Sequence, residues 1–227
     1  TKVQVGRIYV GLPKNIVLEN IYIEDRQKDT LLYGGKIKAD LNIWRLLTKN
    51  EVIIKSIALN NITAKIKRQL PGTRFNFQFI VDAFAPAGTS ATGPADSTSP
   101  AIDIDFIELN KIRLVYKDIV SGSDMEAWLE HLDTRIDKFD PEHFHFDVPS
   151  TNINGLIARI YQSKPLAIPE PAIKDIAEPK QAIPLQLNFK EAALANIKLE
   201  YRNDVSAMYT TLDIVALNVK PRKIDLA

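Results

Sequence analysis

The chain has 227 residues, a formal net charge of +1, no cysteine and 45% hydrophobic residues. The near-neutral balance gives no electrostatic basis for binding nucleic acid or an anionic membrane surface, and without Cys neither a disulfide frame nor a thiolate metal site can form. No apolar run approaches the roughly 20 residues that span a bilayer and no signal peptide opens the chain; both ends break into alternating patterns, which reads as a piece cut from a longer protein.

In chain order, Val3, Val5, Ile8 and Val10 predict a first short strand or strand pair, and residues 11–15 a turn. A strand follows at 16–24, then a polar hairpin loop, Asp25-Arg26-Gln27-Lys28-Asp29. From Leu31 to Trp44 the pattern alternates, with Ile37, Ala39, Leu41 and Ile43 on one face. Lys49-Asn50 is a second turn, Glu51 to Ile57 a strand, and 59–68 another. Gly72 then turns the chain into Phe75-Asn76-Phe77-Gln78-Phe79, a strand that places three Phe on one face, each worth about 1.5–3 kcal/mol if buried. Such a row must be covered or must bind something apolar.

Residues 85–100 are Ala, Gly, Ser, Thr and Pro without periodicity, which predicts a disordered loop. Alternation resumes at Ile102-Asp103-Ile104-Asp105-Phe106. Over 124–139 the apolar residues Met125, Trp128, Leu129, Leu132, Ile136 and Phe139 carry helical spacing. The matching segments elsewhere alternate by two, so a strand is favoured, with one helical turn at Met125–Leu129 left open. Asp140-Pro141-Glu142 is a turn; Phe144, Phe146 and Val148 alternate with His143, His145 and Asp147. A Pro-rich connector covers 164–182, and a last strand-turn-strand unit runs from 183 to 227.

One octet recurs through this plan. Leu18-Glu19-Asn20-Ile21 returns as Leu59-Asn60-Asn61-Ile62, Leu109-Asn110-Lys111-Ile112 and Leu194-Ala195-Asn196-Ile197, with a degenerate copy at Ile153-Asn154-Gly155-Leu156. The spacing of roughly 40 to 50 residues marks a repeat architecture. Each copy reads as a turn, where Asn or Gly tolerates positive φ, feeding a strand with one apolar face. The expected fold is therefore all-β: a repetitive antiparallel meander of roughly 14 to 17 short strands with few or no helices. Its units are 1–84, 101–163 and 183–227, joined as one continuous elongated domain. Two stacked sheets or one sheet curled into a trough both satisfy the pattern.

No catalytic set emerges, and no cofactor or metal is expected. His143 and His145 share a face but lack further ligands. Asp103 and Asp105 are the polar alternates of an amphipathic strand, Asp124 a turn or cap residue, Gly34-Gly35 a pair within a hairpin pattern, and Lys65, Lys67 and Arg68 a surface stripe. The remaining signal is the apolar face: Ile21, Ile23, Leu41, Ile43, Ile62, Ile66, Phe75, Phe77, Phe79, Ile112, Leu114, Leu212 and Ile214. It reads as a closed core or as the lining of a groove for acyl chains, and on physical grounds alone the ordinary core is favoured.

Residues 18–33, 57–61 and 75–84 resemble the N-terminal part of TamB-like proteins of the AsmA superfamily, in their Bacteroidetes form. From residue 101 onwards the resemblance is carried mainly by the repeat. It implies a U-shaped antiparallel sheet with an apolar interior, a repeating β-groove. It further implies a non-enzymatic periplasmic protein held in the inner membrane by an N-terminal helix that this chain lacks. The implied role is phospholipid transport between the membranes, or translocation and assembly of outer-membrane proteins with a TamA-type barrel partner. That partner would be engaged by parts not present here. The resemblance favours the groove over the closed core.

Overall fold

A computed structural model describes residues 1–11, 15–41, 53–70, 74–80, 101–140, 145–166 and 186–220. Ile43, the turn at Lys49-Asn50, Gly72, residues 85–100 and most of the 164–182 connector lie outside the described residues. The elements are β1 (Val3–Gly11), β2 (Asn15–Glu24), β3 (Thr30–Leu41), β4 (Ile53–Arg68), β5 (Ala101–Asp118), β6 (Ser123–Arg135), β7 (Lys138–Asp140), β8 (His145–Gln162), β9 (Gln186–Asn203) and β10 (Met208–Val219).

All of them join one sheet in the order β1-β2-β3-β4-β5-β6-β8-β9-β10, with β7 paired to β8. The expected all-β class holds, and the only helical residues described are 78–80. The sheet does not close, since β1 and β10 are its free edges. Main-chain packing between described strands runs between sheet neighbours, apart from β7 lying against β5. There is one layer.

Three expectations are corrected. First, the strands are fewer and much longer than 14 to 17 short segments. β4, β5, β8 and β9 run through their octets without a break. The Asn, Lys or Gly of the octet does adopt positive φ, but in mid-strand, at Asn20, Asn61, Lys111, Gly155 and Asn196.

Second, the sheet is not a pure antiparallel meander, because β4 pairs parallel with β5 and β8 with β9. Parallel neighbours need a crossover of a dozen residues or more. The two long connections, 69–100 and 163–185, fall between those two pairs.

Third, Phe75, Phe77 and Phe79 are not on a strand. Gln78 N–H donates to Phe75 O (3.1 Å) and Ile80 N–H to Phe77 O (2.8 Å), so the segment coils into a helical turn. Its rings then gather instead of alternating, with Phe75 stacked on Phe77 at 5.4 Å and beside Tyr116 at 6.0 Å. Residues 124–135 are a strand, with no helical turn at Met125–Leu129.

Two of the hairpin turns are built by aspartates. Asp25 Oδ1 accepts from the N–H groups of Gln27 and Asp29, both at 2.9 Å, which closes the predicted 25–29 loop. Asp118 Oδ1 accepts from Val120 and Ser121 N–H in the β5–β6 turn.

Candidate functional site: an apolar band beside a left-handed seam

The positive-φ residues are not scattered. The pairing registers place Gly6, Asn20, Gly35, Asn61, Lys111, Glu130, Gly155, Asn196 and Val215 opposite one another, one per strand, in a line across the whole sheet. Five of the nine, Asn20, Asn61, Lys111, Gly155 and Asn196, are left-handed. The line is a seam, and glycine sits on it or directly beside it where the strands come closest. A Cβ on Gly6 would meet Asn20 Cβ at 2.9 Å, and one on Gly34 would meet Asn61 O at 2.1 Å.

A left-handed residue breaks strand alternation. In β8 the exposed residues are 152 and 154 before the seam but 157 and 159 after it, while 151, 153, 156 and 158 are the covered ones. Residues three apart across the seam therefore share a face, and the Leu-x-Asn-Ile spacing acquires its reason. Leu18 and Ile21 point one way, Glu19 and Asn20 the other.

The consequence is two apolar rows on one face, the first interrupted only at Gly34. On one side of the seam run Val5, Ile21, Gly34, Ile62, Ile112, Leu129, Leu156, Ile197 and Ile214. On the other run Ile8, Leu18, Ile37, Leu59, Leu109, Leu132, Ile153, Leu194 and Leu217. Ile21, Ile62 and Ile197 keep only 4%, 2% and 3% of their surface exposed.

The opposite face is polar and self-satisfied. His131 bridges Asn110 Oδ1 (2.6 Å) and Asp133 Oδ1 (2.9 Å), and Asn152 donates to the same Asp133 oxygen. Trp128 lies between the guanidinium groups of Arg113 and Arg159, at 5.6 and 5.7 Å. Those arginines pair in turn with Glu126 and Glu200. Val17 is a buried aliphatic on this face, flanked in register by Tyr9 and Lys38.

Of the predicted lining residues, Ile21, Ile62, Ile112 and Ile214 fall in the first row. Ile23, Leu114 and Leu212 fall two residues further from the seam, and Ile66 four. Leu41 ends β3. The three Phe leave the band and sit at the strand ends. Sequence reasoning passed over the whole second row, together with Leu129, Leu156 and Ile197. The signal was present as the fixed three-residue step from Leu to Ile in every octet.

At those strand ends Asp25 is fully buried, held by Asn76 Nδ2 (3.2 Å) and Lys67 Nζ (3.3 Å). Burial alone pushes its carboxyl up, but hydrogen bonds from Asp29, Asn76, Gln27 and Lys67 outweigh this and hold it below the usual range. Asp118 is treated alike. Burial raises it, while the bidentate Arg68, the Ser121 hydroxyl and N–H groups draw it well below. The expected basic surface stripe is thus internal bracing at Lys67 and Arg68. A cavity of about 150 Å³ beside Asp25 is lined by Arg26, Lys67, Arg74, Phe75 and Phe79. Among the described residues no His/Cys/Asp/Glu group is arranged to hold a metal, and no helix is long and apolar enough to cross a membrane.

No family model matches the chain, and no curated protein does either.

Proposed function

We propose that the chain is part of a passive lipid conduit, holding phospholipid acyl chains against the apolar band while headgroups stay in water. The observation that carries this is the pair of aliphatic rows crossing the single open sheet, the first interrupted only by Gly34 on β3. A bend of the sheet along the seam, where left-handed residues redirect the chain, turns the band into the inside of a trough. Near-complete burial of Ile21, Ile62 and Ile197 on that face fits a sheet folded inward along the seam. Moving an acyl chain into water costs about 0.8 kcal/mol per CH₂. A continuous trough removes most of that cost along the path and needs no catalytic group.

In this reading the chain is the periplasmic part of an inner-membrane-anchored envelope protein of the TamB-like, AsmA-superfamily type. It serves inner-to-outer membrane lipid transport, and a TamA-type barrel is engaged by other segments. A second reading is a scaffold in outer-membrane protein assembly that binds protein segments at sheet edges. It is favoured by the exposure of Ile8 and Val10 on β1 and of Leu217 on β10.

Leu156 and Ile157 are sequence neighbours on opposite faces, Leu156 in the band and Ile157 exposed on the polar face. The test is lipid extraction and mass spectrometry of protein purified gently from a Gram-negative host. Leu156→Asp is expected to lose co-purifying phospholipid and Ile157→Asp to keep it, with unchanged circular dichroism in both. Wild-type protein free of lipid, or equal retention by both variants, would overturn the conduit.

A further inference from the structure

We infer that the cavity at the ends of β2 and β4 is a binding site for a phosphate ester anion, the headgroup of a lipid whose chains rest on the apolar band. The lipid as source rests on the conduit reading; the anion site does not. On the band face of β4, Ile62, Ala64, Ile66 and Arg68 follow one another, paired with Ile112, Leu114, Tyr116 and Asp118 of β5. That face thus passes from aliphatic to aromatic to an ion pair as the strands end. The segment 74–80 is fixed at this boundary. β3 accompanies β4 only as far as Ala64. Beyond it Asn76 takes the strand's place. Its side chain accepts from Lys67 N–H (3.0 Å) and donates to Lys65 O (2.9 Å), and its main-chain N–H donates to Lys67 O (2.9 Å). Phe75 lines the cavity and also lies beside Tyr116, ring centroids 6.0 Å apart, so cavity and band meet at one ring.

The cavity selects by charge and by size. Arg26, Lys67 and Arg74 line it against a single carboxylate, Asp25. Asp25 is already met by Lys67 and Asn76, and Lys67 also pairs with Asp29. The balance of the lining is therefore positive and is carried by Arg26 and Arg74, both exposed to water. The Arg26 guanidinium lies over the Phe79 ring, 6.0 Å from its centroid. A guanidinium stacked on its face keeps the N–H groups of its edge for a ligand, and that planar fork matches a phosphate two bonds at a time. The volume of about 150 Å³ is that of a cavity which takes one benzene-sized group, so it admits a phosphate ester and not an acyl chain. The chains then lie outside it, and the apolar surface reached past Phe75 is Tyr116, Ile66 and Leu114 of the band.

Titration calorimetry with two soluble probes tests this: glycerol phosphate, and a short-chain phosphatidylglycerol held below its micelle concentration. Wild type is expected to bind the lipid more tightly than glycerol phosphate. The double variant Arg26→Gln/Arg74→Gln, at exposed positions, should keep its melting temperature and weaken both by about tenfold or more. Arg7→Gln/Arg135→Gln lowers the net charge equally at exposed positions away from the cavity and should bind as wild type does. No binding of either probe by wild type, unchanged binding by the Arg26/Arg74 variant, or equal weakening in both double variants would overturn the site. Glycerol phosphate bound as tightly as the lipid, through the same arginines, would uphold the anion site and overturn its assignment to a lipid. The conduit is judged separately. Leu156→Asp, on β8, should leave the affinity for glycerol phosphate unchanged whatever becomes of its co-purifying phospholipid.

Discussion

The seam and the strand-end turns solve different problems with the same polar residue types. At the turns one aspartate gathers many partners. Asp118 alone holds Arg68, Ser121 and two backbone N–H groups, and it is 1% exposed. At the seam the opposite economy applies, since each strand contributes one residue, and Asn20, Asn61, Lys111 and Asn196 are all exposed. Their role is backbone conformation, with few side-chain bonds attached. Stability concentrated in one group is lost at a stroke. Geometry distributed over nine strands tolerates single losses unless the backbone itself is obstructed.

The largest effect is therefore expected at Asp118. Asp118→Ala leaves the Arg68 guanidinium half-buried against Phe75, 4.9 Å from its ring, without its carboxylate. Breaking such a pair costs about 3 kcal/mol or more, and urea unfolding would measure it. The pH dependence has a definite sign. The folded Asp118 titrates below its unfolded value of about 3.9. Its contribution is thus fully present above about pH 4 and disappears as the pH falls toward the folded value. Wild-type stability should be flat from neutral pH down to that point and then drop. Asp118→Asn should start lower and show a shallower acid slope. An unchanged slope would mean that other carboxylates, Asp25 first among them, carry the acid sensitivity.

Next in size is Gly34→Ala. Its Cβ would lie 2.1 Å from Asn61 O and 2.7 Å from Ile62 Cα, backbone atoms that cannot swing aside, at a φ of 155°. A loss of about 3 kcal/mol is expected, or a slipped β3–β4 register visible in hydrogen exchange. Gly35→Ala meets its nearest atoms at 3.1 and 3.3 Å and should cost less. Equal losses at the two sites would show that the tight point is not confined to Gly34, beside the seam.

Sequence reading reached the all-β class, the repeat, the 25–29 loop and four members of one apolar row because each rests on local periodicity. It missed the parallel pairs because an octet looks the same whichever way its neighbour runs, and the long connectors that parallel pairing requires were read as loops alone. The helical spacing over 124–139 was the seam seen in another guise. Leu129 and Leu132 are three apart and lie on the same face because they flank Glu130, and a three-residue step inside a strand imitates a helix. The Phe segment was misjudged for a different reason. Alternation predicts a strand only where a partner strand exists. Here Asn76 instead ties the segment to the end of β4, accepting from Lys67 N–H at 3.0 Å and donating to Lys65 O at 2.9 Å.

The smallest effects sharpen the comparison most, because they separate backbone from side chain. At Asn61, φ is 56°. Asn61→Ala should cost about 1–2 kcal/mol, whereas Asn61→Gly should be nearly neutral, since glycine reaches that region freely. Lys111 holds a φ of 53° with an exposed, branchless side chain that gains nothing from the left-handed region. Relieving its Cβ restores about 1–2 kcal/mol, offset by about 0.5–1 kcal/mol of extra unfolded-state entropy for glycine. Lys111→Gly is thus expected to stabilise by a few tenths to about 1 kcal/mol, read as a raised urea midpoint at constant slope. Destabilisation instead would show that the lysine side chain, lying between Asn61 and Glu130 on the seam, does more than occupy a conformation. The seam would then resemble the aspartate turns more closely than its exposure indicates.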